Sequence, residues 1–257
     1  MSQFANLVLK KTPYDLKELT KVLDASYSDA STKDEHLQKT SFSPSTIGYG
    51  SGTCPRRWVL AFRGADWYEH HSSQSVDNMT AGTDAHTRIQ SNLQNSNLDV
   101  VIEHELIVED PPVRGFVDVI IKDFNGYNLV IEIKTTRTEA WVSRRAKNAG
   151  PGYQVLQLLL YLYFLGEEFG VLLYEDKNDH QKLMIPVQMT EKNKKAVEKV
   201  VSWMRLVHST YEEGKLPKNP FRSNSKICKE CPLQKWCFSQ PEGDTEVEIL
   251  KYEDDLD

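Results

Sequence analysis

Asp118, Glu132 and Lys134 carry chemistry in an unlikely setting. They interrupt "RGFVDVIIKDFNGYNLVIEIKTT" (residues 114–136), two runs rich in Val and Ile joined by Asn125-Gly126. Such runs read as the two strands of a half-buried hairpin, where charged side chains are costly without partners. Side chains alternate along a strand and cross-strand partners share a face, so the register decides which groups meet. A two-residue Asn-Gly turn sets Asp118 against Ile133 and mixes apolar with charged positions. A three-residue loop, Phe124-Asn125-Gly126 with Gly126 left-handed, pairs Asp118 with Glu132. Val117, Val119 and Ile121 then share an apolar face with Leu129, Ile131 and Ile133, and the three charges gather on the other. Two carboxylates held so close favour a divalent cation, beside which a lysine can orient a water. The bland alternative is a buried salt bridge of Lys134 with either acid.

An Asp followed by Glu-x-Lys on an adjoining strand resembles the PD-(D/E)XK nuclease superfamily, here as "GFVDV", without a Pro before the Asp, and "IEIKT". Other stretches resemble its RecB-like group in the same order. "AGTDAHTRIQ" places His86 in the first turns of a helix capped by Thr83, with a Gly-x-x-x-His spacing, and His suits Mn2+ beside carboxylates. "YQVLQLLLYLYFLGEEFG" is a helix apolar on almost every side, in which Gln157 and Tyr161 match a Gln-x-x-x-Tyr. A helix-surface histidine and a satisfied core glutamine are the plainer readings.

The cysteines number four: Cys54, then Cys228, Cys231 and Cys237 in "ICKECPLQKWCF". Four thiols that can cluster in a reducing compartment suggest a metal site more than disulfides. One upstream Cys with C-x2-C-x5-C near the C-terminus, and "SPSTIGYGSGTCPRRWVLAFRG" around Cys54, resemble the 4Fe-4S set of the Cas-four CRISPR-associated exonucleases. Zinc is the alternative, because thiolates suit both metals. The resemblance runs from about residue 41 to 238.

It implies a PD-(D/E)XK restriction-endonuclease-like α/β core, a mixed sheet flanked by helices, with an Fe-S cluster as a clasp. It also implies a metal-dependent nuclease, most simply an exonuclease on single-stranded DNA or DNA ends. His86, Asp118, Glu132 and the Ile133 carbonyl would hold Mn2+ or Mg2+, Lys134 would position the attacking water, and Gln157 and Tyr161 would contact substrate or Lys134. Glu103 or Glu105 on the preceding strand would support the ligands of that metal from behind or hold a second one, and strand parity does not choose between them. A DNA-binding adaptor working with CRISPR adaptation or recombination proteins, or a cysteine clasp with no catalysis, are the competing classes.

The elements that must position these groups follow from the pattern. Residues 1–40 form a polar lead with an amphipathic candidate at 14–25, residues 41–240 form the nuclease domain, and residues 241–257 form an acidic, disordered tail. Within the domain we expect helices over 41–98, strands near 100–108, 114–122 and 128–135, a helix at 152–167, strands near 170–175 and 182–188, and a helix at about 190–213.

Of 257 residues, 39% are hydrophobic and 26% charged, as expected of a globular chain. The chain opens without the apolar core of a signal peptide, and no apolar run is long enough to span a bilayer, which points to the cytoplasm. The net charge of −6 argues against nucleic acid until its distribution is considered. Residues 241–257 hold eight acids against one Lys, so the remainder carries +1. Arg137, Arg144, Arg145 and Lys147, with Trp141 among them, directly follow the catalytic strand, where they could track phosphates and stack a base; a solvated loop is the alternative.

Overall fold

The computed structural model describes residues 15–31, 38–68 and 72–257. The chain divides into two units, residues 1–33 with 69–81, and residues 34–68 with 82–257. In the first, helix α1 (Leu16–Ser31) carries Leu19, Val22 and Leu23 at helical spacing, all exposed. It overlaps the amphipathic candidate at 14–25, whose first residue lies outside the described residues.

The second unit holds the chemistry. Its elements are α2 (Pro44–Ile47), α3 (Pro55–Phe62), most of α4 (Ser73–Gln94), β1 (Asp99–Val108), β2 (Val113–Phe124), β3 (Tyr127–Thr136), α5 (Thr138–Lys147), α6 (Gly152–Leu165), β4 (Phe169–Asp176), β5 (Lys182–Gln188), α7 (Glu191–Glu212), α8 (Lys226–Lys229) and α9 (Gln234–Ser239). The strands form one mixed sheet in sequence order. Among the described strands β3 and β4 alone pair in parallel, and α5 and α6 make the long crossover that a parallel pair requires. No helix among the described residues is long and apolar enough to cross a membrane.

Helices cover both faces of the sheet. On one, Ile89 of α4 packs on Val119, Ile121, Ile131, Ile133 and Leu173. On the other, α6 sits between the sheet and α7, which is why Leu156, Leu158, Leu159, Leu160 and Leu162 are all buried and the helix is apolar all round.

The hairpin reaches the expected register by another route. Val119 pairs with Ile131, Ile120 with Val130 and Ile121 with Leu129, the alignment that sets Asp118 opposite Glu132. The turn, however, is the two-residue Asn125-Gly126, closed by Phe124 and Tyr127, with positive φ at both central residues (55° and 87°). That geometry matches the twist of the strands better than the expected three-residue loop. The register is restored by an irregularity between Ile121 and Phe124, where Asp123 adopts φ 48° and donates its N–H to Asn128 Oδ1 at 3.2 Å.

Two segments differ from the expectation. Residues 241–257 pack against the domain: Val247, Leu250 and Tyr252 are buried, the Trp203 indole donates to the Glu248 carbonyl at 2.7 Å, and Leu250 N–H donates to Thr53 O at 2.9 Å. Two of their eight acids meet lysines of α7, Asp255 with Lys199 at 2.9 Å and Asp257 with Lys192 at 3.1 Å. The basic segment 137–148, read without a helix, contains α5, stopped by Asn148 in the left-handed region.

Candidate active-site cleft

Asp118 does not lie over a face of the sheet. Val117 and Ile120, three residues apart, belong to the same core cluster, so the alternation of β2 breaks between them and Val117 leaves the face expected for it. Glu103, whose place in the β1 register is opposite Asp118, carries φ 48° at the same point. The Asp118 carboxylate turns between the strands instead, and Ile133 N–H donates to its Oδ2 at 2.7 Å. The β2–β3 ladder accordingly ends at Val119 and Ile131.

Glu132, 2% exposed, is held by two donors on one oxygen. Lys134 Nζ lies 2.6 Å from Oε1 and Gln157 Nε2, from α6, 2.7 Å from it. Its Oε2 is buried with no partner. Burial pushes this carboxyl well above the usual carboxylate range, the Asp118 charge adds to the rise and Lys134 opposes it. Gln157 therefore reaches Glu132, not Lys134. Tyr161, one turn on, is buried in the same cleft, and burial raises its phenol. Gly115 makes room for it: a Cβ there would meet Tyr161 Oη at 3.0 Å and Pro44 Cδ at 3.1 Å.

His86 comes from the middle of α4, which begins at Ser73, so Thr83 is not its cap. Its Nδ1 lies 3.4 Å from Asp118 Oδ1. Burial alone would lower the imidazole pKa, and the hydrogen bond and charge of Asp118 reverse this and leave it raised. One turn on, Gln90 donates to the Asp118 carbonyl at 3.0 Å and to Glu103 Oε1 at 2.5 Å. Ligand atoms of His86, Glu103 and Asp118 lie within 4.8 Å of one another. Glu105 turns away, accepting from Arg114 Nε at 2.7 Å. The structure thus separates two acids that strand parity could not, and it adds Gln90, which the sequence marked by nothing more than a polar residue one turn after His86.

These carboxylates and the imidazole fit a divalent ion. Oxygen and nitrogen donors converge, two of the acids are buried, and the buried Oε2 of Glu132 has no protein donor, a cost that an ion would remove. They open into a cleft of 680 Å³ whose wall includes Lys39, Thr40, Ser41, Ser43 and Arg114, with Phe116 beside Asp118.

The basic segment is divided by its helix. Arg137, Arg145 and Lys147 are exposed, whereas Arg144 lies over the Tyr174 ring at 4.4 Å and donates to Thr136 Oγ1. Trp141 is 6% exposed within the main core, so the expected stacking role for this residue is corrected: the amphipathic turn of α5 points its indole inward, with Arg145 over it at 5.4 Å. None of the five residues lines the cleft of Asp118 and Glu132.

Cys54, Cys228, Cys231 and Cys237 line one small cavity and form no disulfide. Cys54 precedes α3, and the other three come from α8, α9 and the turn between them. Burial pushes the Cys54 thiol up to about 12, with the nearby Cys231 and Cys237 adding to the rise. Cys237 Sγ accepts from Arg56 Nε at 3.2 Å and Asn219 Nδ2 at 3.7 Å.

Comparisons with known proteins agree with this geometry. No curated protein matches the chain. Among solved structures, the alkaline exonuclease LHK-Exo from Laribacter hongkongensis is 14% identical with a TM-score of 0.51, covering 74% of this chain and 95% of its own. The phage-related exonuclease from Haemophilus somnus 129PT is 10% identical with a TM-score of 0.46, over 70% of this chain and 97% of its own. SSO0001 is 20% identical with a TM-score of 0.44, over 86% and 94%. At these identities the likeness to LHK-Exo speaks for the fold alone. Residues 94–238, more than half of the chain, match the sequence pattern of one family, which spans β1 to Cys237 and with it Asp118, Glu132 and Lys134: the chain belongs to the PD-(D/E)XK nuclease superfamily.

Proposed function

We propose that the protein is a metal-dependent deoxyribonuclease that hydrolyses phosphodiester bonds from the ends of single strands. The observation that carries the reading is the buried, unpartnered Oε2 of Glu132 in the same cleft as Asp118 and His86. His86, Asp118 and Glu132, with the Ile133 carbonyl, would hold Mn2+ or Mg2+, and Glu103 joins them from β1. When bound, the ion supplies a water of lowered pKa and offsets charge on the scissile phosphate. Lys134, fixed by its contact with Glu132, holds its ammonium at the cleft, where it can orient that water or stabilise the pentacoordinate charge. Gln157 fixes Glu132 from the other side, and Lys39 and Arg114 offer positive charge to the backbone of the strand. LHK-Exo has been solved in complex with dAMP, in keeping with a deoxynucleotide product.

In this reading the cysteines hold a 4Fe-4S cluster of the RecB-like, Cas-four type. Cys54, Cys228, Cys231 and Cys237 line one cavity, as ligands of one metal centre must, and thiolates suit iron-sulfur clusters and zinc alike. End-labelled single and double strands, incubated with and without Mn2+, test the activity. Iron and sulfide content after anaerobic purification tests the cluster.

A further inference from the structure

We propose that Phe116 is the platform on which an unpaired base of the substrate stacks next to the scissile phosphate. This rests on the nuclease reading of the cleft and adds to it the part that recognises a single strand. Phe116 is 48% exposed, and it shares its cleft with Lys39, Thr40, Ser41, Arg114 and the acids, so an apolar ring face is presented to whatever enters the cleft among groups that suit phosphate and metal.

The other aromatic rings that the sequence or the cleft offers are already engaged. Trp141 is buried in the core, and Tyr161, in the same cleft, is 2% exposed, so neither presents a free face. Tyr49 is exposed but packs on Tyr153 at 4.7 Å and does not line this cleft.

Phe116 is also held firmly in the cleft of Asp118 and Glu132. It lies on β2, paired through Glu105 to β1, and Glu105 is itself tied to Arg114 at 2.5 Å. A ring on a paired strand is fixed more firmly than one on a loop. It precedes Asp118 by two residues on the same strand, and both side chains line the cleft. Bases within a duplex have their faces covered by their neighbours, so an aromatic platform beside the reacting phosphate selects unpaired nucleotides. Phosphate contacts from Lys39 or Arg114 carry no such selection.

The test is a binding comparison that needs no turnover. Wild type, Phe116→Ala and Phe116→Trp are titrated, in EDTA, against a fluorescein-labelled oligothymidylate and against an abasic oligonucleotide of equal length. Stacking of one base predicts that Phe116→Ala binds oligothymidylate roughly 5- to 150-fold more weakly. It also predicts that Phe116→Trp keeps wild-type affinity and that all three bind the abasic strand alike. Equal affinity of wild type and Phe116→Ala for oligothymidylate overturns the platform, as does an equal loss on both strands. A thermal melt of Phe116→Ala at the wild-type temperature confirms that the exposed ring is not structural. If no nucleic acid is cleaved with any divalent ion, the nuclease reading fails while this comparison still decides the platform.

Discussion

The Asp118 carboxylate takes the Ile133 N–H at 2.7 Å, a hydrogen bond that in a continuous ladder belongs to a backbone carbonyl of the neighbouring strand. One side chain thus both ends the β2–β3 pairing and turns its other oxygen toward His86. The strand break and the site are one feature, and two substitutions separate its parts. Asp118→Asn keeps an oxygen for Ile133 N–H but removes the negative charge, so Mn2+ affinity and cleavage should disappear with the melting temperature nearly unchanged. Asp118→Ala also strands a buried N–H and should lose about 1–3 kcal/mol of stability in addition. Isothermal titration with Mn2+ and chemical denaturation read the two effects, and equal stability of both variants would show that the Ile133 bond contributes nothing.

Gln157 touches Glu132 in the cleft. Its amide and Lys134 share Oε1, which leaves Oε2 for an ion. Gln157→Leu should weaken Mn2+ binding or activity by roughly 10- to 100-fold, as loss of an outer partner commonly does, while single-strand affinity measured in EDTA stays at the wild-type value. A variant that loses strand affinity instead, with metal binding intact, would place Gln157 on the substrate.

How much of this was legible in the sequence depends on which interaction fixed each residue. Hydrophobic alternation located all five strands within a few residues, and it chose the register of Asp118 and Glu132, because a slip of one residue would have set charged positions against apolar ones. It could not show that Asp118 leaves its face, since that depends on a backbone irregularity opposite Glu103. Trp141 misled because basic neighbours suggest a surface, while α5, unrecognised, turns one side inward. The tail misled in the same way: its acids concealed Val247, Leu250 and Tyr252, three apolar residues that pack among α3, α6 and α7. The four cysteines were legible as a set, and only folding could show that residues 174 positions apart line one cavity.

Glu175 links α4 to the far end of β4. It is 2% exposed and meets Arg88 at 2.5 Å, His180 at 3.1 Å and Lys182. Burial alone would raise its carboxyl, and these three partners, led by Arg88, reverse that and hold it down at about 2. A carboxyl lowered on folding contributes stability that is present above its unfolded value of about 4.5 and is lost as pH falls through about 2. Glu175→Gln should therefore be less stable than wild type at pH 6, by roughly 1–2 kcal/mol once the exposed cation ends are discounted. The gap should close as the pH is lowered from 4.5 toward 2. Urea denaturation of both proteins across that range measures it, and a gap independent of pH would mean that packing, not charge, holds Glu175 in place.

Arg56 gives the cysteine site a charge to answer. Its guanidinium is 2% exposed and donates to Pro217 O and Pro241 O at 2.8 Å, to Cys237 O at 3.2 Å and to Cys237 Sγ at 3.2 Å. No carboxylate is among these partners, and a buried cation is costly without a compensating negative charge. Thiolates on a metal supply one, since coordination removes the proton that burial otherwise keeps on Cys54 and Cys237. Arg56→Gln should then release the bound metal to a chelator at least about tenfold faster than wild type, while Arg56→Lys, which keeps the charge and loses the fork, falls between them. Loss of absorbance near 400 nm follows the release if the site holds iron and sulfide, and a zinc dye follows it if the site holds zinc. Cys54→Ser should lose metal and melting temperature together, because a metal held by all four thiolates would tie the start of α3 to α8 and α9. Release rates indistinguishable among the three proteins would mean that the carbonyls alone satisfy Arg56 and that the sulfur carries no charge it responds to.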